Sequence, residues 1–199
     1  MSYLCCVFGM VRVPWVPSPR LVVEYVLDVL GVGFGDVVLD LGCGDGRFLI
    51  AAAKRGAKAI CIEVDRVLCN VVEIAVTIAG VSDRVVVLCR DFFDVDLRSV
   101  LPRPTIVYAY LYSSVLSELA PKLEKELDIG TLVITLDFAI RGWSPFFVKH
   151  LIDEYGHNRL LWLYIVGISN PSARYAGLSR EYIAIAEKLH GKRFGLEIA

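Results

Sequence analysis

Asp40, Glu63, Asp91 and Asp137 each stand at or just past the end of an apolar run, and the first of them leads into a run of alternating glycines. Val37 to Leu41 is β-branched and apolar, too short for a helix of its own. It breaks on Gly42-Cys43-Gly44-Asp45-Gly46 before helical character resumes from Arg47 to Lys54. Without Cβ atoms, Gly42, Gly44 and Gly46 can take positive φ and let a ligand lie against the main chain, while the first amides of the helix point back at it. A dinucleotide fingerprint places its third glycine one residue later and holds a pyrophosphate over the helix start. Here Asp40 and Asp45 flank the loop, and carboxylates repel a pyrophosphate but attract an ammonium or a sulfonium. The residue types therefore favour S-adenosylmethionine over NAD. A turn whose glycines serve only packing is the alternative.

The later acidic residues extend this reading. A second run, Ala57 to Ile62, ends in Glu63-Val64-Asp65, and an acidic residue about twenty positions beyond the glycines is placed to accept ribose hydroxyls. A third, Val85 to Cys89, leads into Arg90-Asp91-Phe92-Phe93, where a carboxylate can take the amino group of an adenine and a phenyl ring can pack on the base. The fourth run ends in Tyr108-Ala109-Tyr110-Leu111-Tyr112 and the fifth in Thr135-Leu136-Asp137-Phe138. Trp15 is expected to close over the cofactor from the N-terminal side. The expected cofactor contacts are thus Trp15, Asp40, Gly42, Cys43, Gly44, Glu63, Val64, Asp91, Phe92 and Tyr108.

These residues need strands that end together. Ser18 with Pro19 starts a helix whose apolar set, Leu21, Val22, Tyr25, Val26, Val29 and Leu30, forms one face before Gly31. Further helices are expected over about 65–79 and 114–127, and strands over 105–110 and 130–138. Strand and helix alternate, so the sheet should be parallel with helices on both faces and the ligand beyond its carboxyl edge. After Pro145 the pattern changes: Phe146 to Asp153 and Arg159 to Val166 read as two strands joined across Tyr155-Gly156-His157-Asn158, a hairpin signal. Ser179 can cap a helix to about Leu189 with Tyr182, Ile183, Ile185, Ala186 and Leu189 as its apolar face.

Composition narrows the class. The chain has 199 residues, 56% of them hydrophobic, which suits one domain with a two-sided core. Its uncharged runs stay below the eighteen or so residues of a membrane span. Met1 to Met10 is apolar but lacks the basic start and the cleavage site of a signal peptide, so a cytoplasmic protein is expected. The formal charge of −1, without a basic cluster, counts against stable nucleic-acid binding. Glutamine is absent and asparagine occurs only at Asn70, Asn158 and Asn170, a depletion that suggests a thermophilic source. The six cysteines, Cys5, Cys6, Cys43, Cys61, Cys69 and Cys89, show no zinc spacing. They are read as buried free thiols, with an intracellular bridge of the kind found in hyperthermophiles left open. His150, His157 and His190 fall in or after the hairpin and in the tail, and imply no metal.

From about Val13 to Gly167 the chain resembles the class I, seven-stranded methyltransferases, and more narrowly the archaeal broad-specificity protein lysine methyltransferases and their mitochondrial relatives. The residues that carry this are Val13-Pro14-Trp15-Val16-Pro17-Ser18-Pro19, Leu39 to Arg47 with its glycines, Asp91-Phe92-Phe93, Pro121 to Leu127, and Arg141-Gly142-Trp143-Ser144-Pro145. The glycine motif is shared by many methyltransferases; the last two elements point to the lysine-modifying group. The resemblance implies a Rossmann-like, doubly wound, mostly parallel seven-stranded α/β sheet ending in an antiparallel hairpin. A methyltransferase domain is expected over 1–169, with 1–17 covering the cofactor, while 170–199, which has no counterpart in the family pattern, is expected to be a helical extension packed on the same domain. The resemblance also implies protein substrates with exposed lysines; a monomer or weak oligomer is expected. Because the resemblance begins just after Met10, a start at Met10 is the alternative to a start at Met1.

A lysine must lose its proton before it attacks a methyl group, since its ordinary pKa is about 10.4. Tyr110, Tyr112 and Trp143 are expected to line a narrow aromatic channel for the lysine stem, with cation–π attraction to its head, and Asp137 to orient or relay the departing proton. The related pattern often has a histidine before this acid; Leu136 stands there instead. An acceptor that is a small molecule or RNA, a cofactor-binding module without turnover, and a nicotinamide oxidoreductase are the competing readings.

Overall fold

The computed structural model describes residues 15–174. The expected helix over 179–189 and the choice between Met1 and Met10 lie outside them. Along the chain run α1 (Arg20–Val29), β1 (Val37–Leu41), α2 (Arg47–Lys54), β2 (Lys58–Glu63), α3 (Arg66–Ile78), β3 (Val85–Cys89), β4 (Ile106–Ala109), α4 (Ser113–Glu126), β5 (Leu132–Leu136), β6 (Phe147–Ile152) and β7 (Asn158–Ile165). The strands form one seven-stranded sheet in the order β3-β2-β1-β4-β5-β7-β6. β1 to β5 are parallel, and β7 runs antiparallel between β5 and β6. Strand order therefore reverses between β1 and β4, which opens a crevice at their carboxyl ends, where a ligand binds in such sheets.

β1 and β5 are buried along their whole length, so they read as continuous apolar runs rather than alternating ones. One face of the sheet packs on α1, α2 and α3, with Val26, Leu27, Phe48, Leu49, Val72 and Val76 in its core. The other packs on α4 through Val115, Leu116, Leu119 and Leu123, and otherwise on loops and a 3-10 turn at Leu97–Ser99. Helices do lie on both faces, but unequally among the described residues. No helix among these residues is long and apolar enough to cross a membrane.

α1 starts directly after Ser18-Pro19, as expected, but its first amides are met from elsewhere: Ser18 Oγ is 2.8 Å from the Tyr108 hydroxyl, and Glu154 of the β6–β7 turn accepts from the amides of Arg20 at 2.7 Å and Leu21 at 3.2 Å. A carboxylate there also meets the positive end of the helix dipole. One local expectation changes. The cysteines among the described residues are not free thiols. Cys43 is bonded to Cys61 and Cys69 to Cys89, because the parallel pairing of β1, β2 and β3 brings the glycine loop over β2 and α3 against β3. At the end of the described residues a 3-10 turn, Pro171–Arg174, is tied through Ser172 to Glu124 of α4.

Candidate active site

The glycine loop emerges from the centre of the sheet with the geometry its residues require. Gly44 has φ +57, and a Cβ there would overlap the indole of Trp15; Gly46, at φ +74, opens α2 where a Cβ would meet Val72 Cγ1 of α3 at 2.9 Å. Both positions combine left-handed backbone with close approach, and only glycine meets both demands. Trp15 lies against this loop and is half-exposed.

Around this loop the carboxylates take distinct roles. Asp40 is 3% exposed, and burial first, then the neighbouring Glu63 and Asp45, hold its pKa well above the usual carboxylate range. A cation brought beside it would restore its charge. Asp45 is already paired: Arg47 donates to it through Nε at 3.0 Å and Nη2 at 2.6 Å, and through Nη1 to the Ser18 carbonyl at 2.9 Å. Glu63 stands at the end of β2, but both its oxygens already accept main-chain protons, from Gly44 at 3.0 Å, Val64 at 2.9 Å and Asp65 at 3.0 Å. Burial raises its pKa against the pull of these amides. Asp91 Oδ1 accepts from the Phe93 amide at 2.9 Å in a turn that leaves it part-exposed, and Phe92 packs half-buried against the second core. Cys43 enters the loop through its main chain alone, since its sulfur is bonded to Cys61. Val64 is 47% exposed beside Glu63.

Two aromatic assignments are corrected. Tyr108 is buried in the first core, stacked on Phe48 with ring centroids 4.1 Å apart, and its hydroxyl meets Ser18; no face is left for a cofactor. Trp143 is 6% exposed and packs edge-on against Tyr164 at 5.8 Å, so it fills the core under the β5–β6 connection rather than a channel wall.

At the ends of β4 and β5 a second cluster forms. The Tyr110 hydroxyl donates to Asp137 Oδ2 at 2.9 Å. Burial, then this carboxylate, push the tyrosine pKa up to about 12. Tyr112, 41% exposed at the start of α4, lies 5.3 Å from the Phe138 ring. Tyr110, Tyr112 and Asp137 are thus brought together with Phe138. Sequence reasoning missed Arg159, which donates from Nη1 to Asp137 Oδ2 at 2.7 Å and from Nε to Asp153 Oδ2 at 2.8 Å. The one signal in the sequence was its place at the start of the second hairpin strand, which does not say which strand it will face.

The glycines at positive φ, the cation-ready Asp40 and the carboxylates at the ends of β2 and β3 fit a ligand that carries a positive charge beside a nucleoside. Comparison with known proteins agrees. Residues 40–147 match the ANTKMT methyltransferase domain. A protein-lysine N-methyltransferase of Saccharolobus islandicus is 38% identical over 160 residues, 78% of this chain and 95% of that protein. The adenine nucleotide translocase lysine N-methyltransferase of Mus musculus is 33% identical over 84% of this chain and 69% of its own. Among solved structures, an RNA methyltransferase from Salinibacter ruber in complex with S-adenosyl-L-homocysteine is 34% identical, covers 76% of this chain and 94% of its own, and superposes with a TM-score of 0.68. The glycine loop with its ordered acidic strand ends and the matched span 40–147 agree: the chain belongs to the ANTKMT methyltransferase domain family.

Proposed function

We propose that the protein transfers methyl groups from S-adenosylmethionine to lysine side chains of other proteins. The observation that carries the reading is the pairing, along one carboxyl edge, of a cradle fitted to a cationic nucleoside ligand with a tyrosine–carboxylate cluster flanked by the exposed Tyr112 ring and the part-buried Phe138 ring. The likeness to the Saccharolobus protein-lysine methyltransferase supports the acceptor. When bound, the cofactor supplies a methyl group activated on a sulfonium.

The chain's own part is positioning and desolvation. Asp40, Gly42, Gly44, Glu63, Val64, Asp91 and Phe92 would hold the cofactor, the loop residues through main chain, with Trp15 over Gly44. Tyr112 and Phe138 would flank the apolar stem of a lysine, and Tyr110 with Asp137 its nitrogen. The acceptor ammonium would first lose one proton to solvent, Tyr110 and Asp137 would orient the neutral nitrogen toward the methyl group, and the products would be a methylammonium and the neutral thioether form of the cofactor.

A second reading, an RNA acceptor, draws on the Salinibacter structure, but the chain's −1 charge and lack of a basic cluster speak against it. Absence of glutamine together with the two intrachain bridges fits a cytoplasmic protein of a thermophile, where intracellular disulfides persist. Incubation with methyl-labelled cofactor, lysine-rich native proteins and total RNA, followed by mass mapping, tests the acceptor. Label on lysine is the expected result, and label confined to RNA or metabolites overturns it.

A further inference from the structure

Asp137, one residue past β5, is the only non-glycine with positive φ among the described residues, at φ 64. Such backbone persists where the surroundings over-determine it. Here they do: the Asp137 amide donates to the Leu160 carbonyl at 2.7 Å, Oδ1 accepts from the Leu160 amide at 3.2 Å, and Oδ2 accepts from both Tyr110 and Arg159. β7 therefore holds this residue from one side and Tyr110 from the other.

Arg159 is itself fixed from behind. Asp153, whose side chain is fully buried, takes its Nε and also the amides of Tyr155 and His157, each at 2.9 Å. With Nε anchored, the planar guanidinium has one direction left, and its Nη1 reaches both Asp137 Oδ2 at 2.7 Å and the Tyr110 hydroxyl oxygen at 3.1 Å. A hydroxyl has one proton and two lone pairs. The Tyr110 proton is committed to Asp137, one lone pair receives the Arg159 proton, and one lone pair is left over among the described residues. Arg159 carries no acceptor and does not lose its charge, so the hydroxyl cannot turn its proton that way. Asp137 Oδ2, holding two donors, is likewise poorly placed to take a third proton.

We propose that Arg159 is a positioning residue for methyl transfer: with Asp137 it locks the Tyr110 hydroxyl as a hydrogen-bond acceptor for an N–H of the incoming amine. This rests on the lysine reading above, and of the two roles expected of Asp137, orienting or relaying, it keeps the first. The site then selects an acceptor nitrogen that carries a proton to donate and sets its lone pair on the methyl. An oxygen acceptor without such a proton in line would not be held.

The experiment is a double-mutant cycle on the whole protein with Tyr110→Phe and Arg159→Met, after mass mapping has confirmed lysine methylation by the wild type; failure at that first step sinks the lysine reading alone. Each single variant should lower kcat for a protein acceptor roughly 10- to 100-fold, the cost of one lost charge-assisted or orienting hydrogen bond, with Kd for S-adenosylmethionine within about twofold. In the Tyr110→Phe background Arg159→Met should cost little more, because residues acting through one atom are not additive. Arg159→Lys, which keeps the charge without the fork, should fall between and guards against a Met variant that does not fold. Effects that multiply in the double variant, or a loss in either Arg159 variant that tracks cofactor affinity or the folded fraction, would overturn the proposal.

Discussion

The two halves of the carboxyl edge are built on different principles. The cofactor half, at the ends of β1, β2 and β3, is assembled from short sequence neighbourhoods, each a strand end and the few residues after it, and it is stapled by both disulfides. The acceptor half gathers Tyr110, Asp137 and Arg159, separated by 27, 22 and 49 positions, and has no covalent link. In the first, binding as proposed would run through the main chain, so glycine and local charge matter. In the second, side chains hold one another, so removing any one misplaces the others. Binding should therefore fail through the first half and turnover through the second.

The largest expected effect is on the stapled half. Bridges of sequence separation 18 and 20 should contribute about 3 kcal/mol each through loop closure in the unfolded chain. Chemical unfolding with and without a reductant, with thiol counting, checks this; equal stability in the two states would show that the staples do not distinguish the halves. Next, Gly44→Ala forces a Cβ into left-handed backbone under Trp15 and should weaken S-adenosylmethionine binding roughly 30- to 100-fold, as read by calorimetry. Unchanged affinity would mean that close backbone approach is not used.

On the other side, Asp137→Asn should lower turnover roughly 10-fold while leaving cofactor affinity in place. Full activity at every pH would remove Asp137 from the acceptor site. The smallest effect appears only in acid. Burial raises the Asp153 pKa, but the amides of His157 and Tyr155 and the Arg159 guanidinium outweigh it and hold it at about 2. A carboxylate depressed in the folded state stabilises fully above its unfolded pKa of about 3.9. That contribution fades as pH falls through the folded value. Thermal melts between pH 5 and 2 should therefore lose stability in this window, and Asp153→Asn should flatten the loss.

The same contrast explains what could be read beforehand. Strand, glycine loop and α2 are contiguous, and Asp40, Glu63 and Asp91 each sit at or next to the end of their own strand, so type and spacing placed them at strand ends without knowledge of the sheet order. Tyr108 and Tyr110 show the opposite case. Two residues apart at the end of β4, they point to the same face, and only depth separates them: Tyr108 lies one pleat inside, under Ser18 and against Phe48, while Tyr110 reaches Asp137. Aromatic identity carries no information about that depth. Trp143 was misassigned for a similar reason, since its partner Tyr164 comes from β7, whose place beside β5 is not written in the β5–β6 connection.

The sequence by itself determined the alternation of elements, the cradle and its preference for a cationic ligand, because these depend on local backbone freedom and on charge within a few residues. Tertiary structure alone decided the acceptor side. Inserting β7 antiparallel between β5 and β6 sets Leu161 opposite Leu136 and so carries Arg159 to Asp137. That pairing is won by burial of Leu161, Leu163 and Ile165 in a core shared with α1 and α2. It is a long-range packing choice which no short stretch of chain encodes.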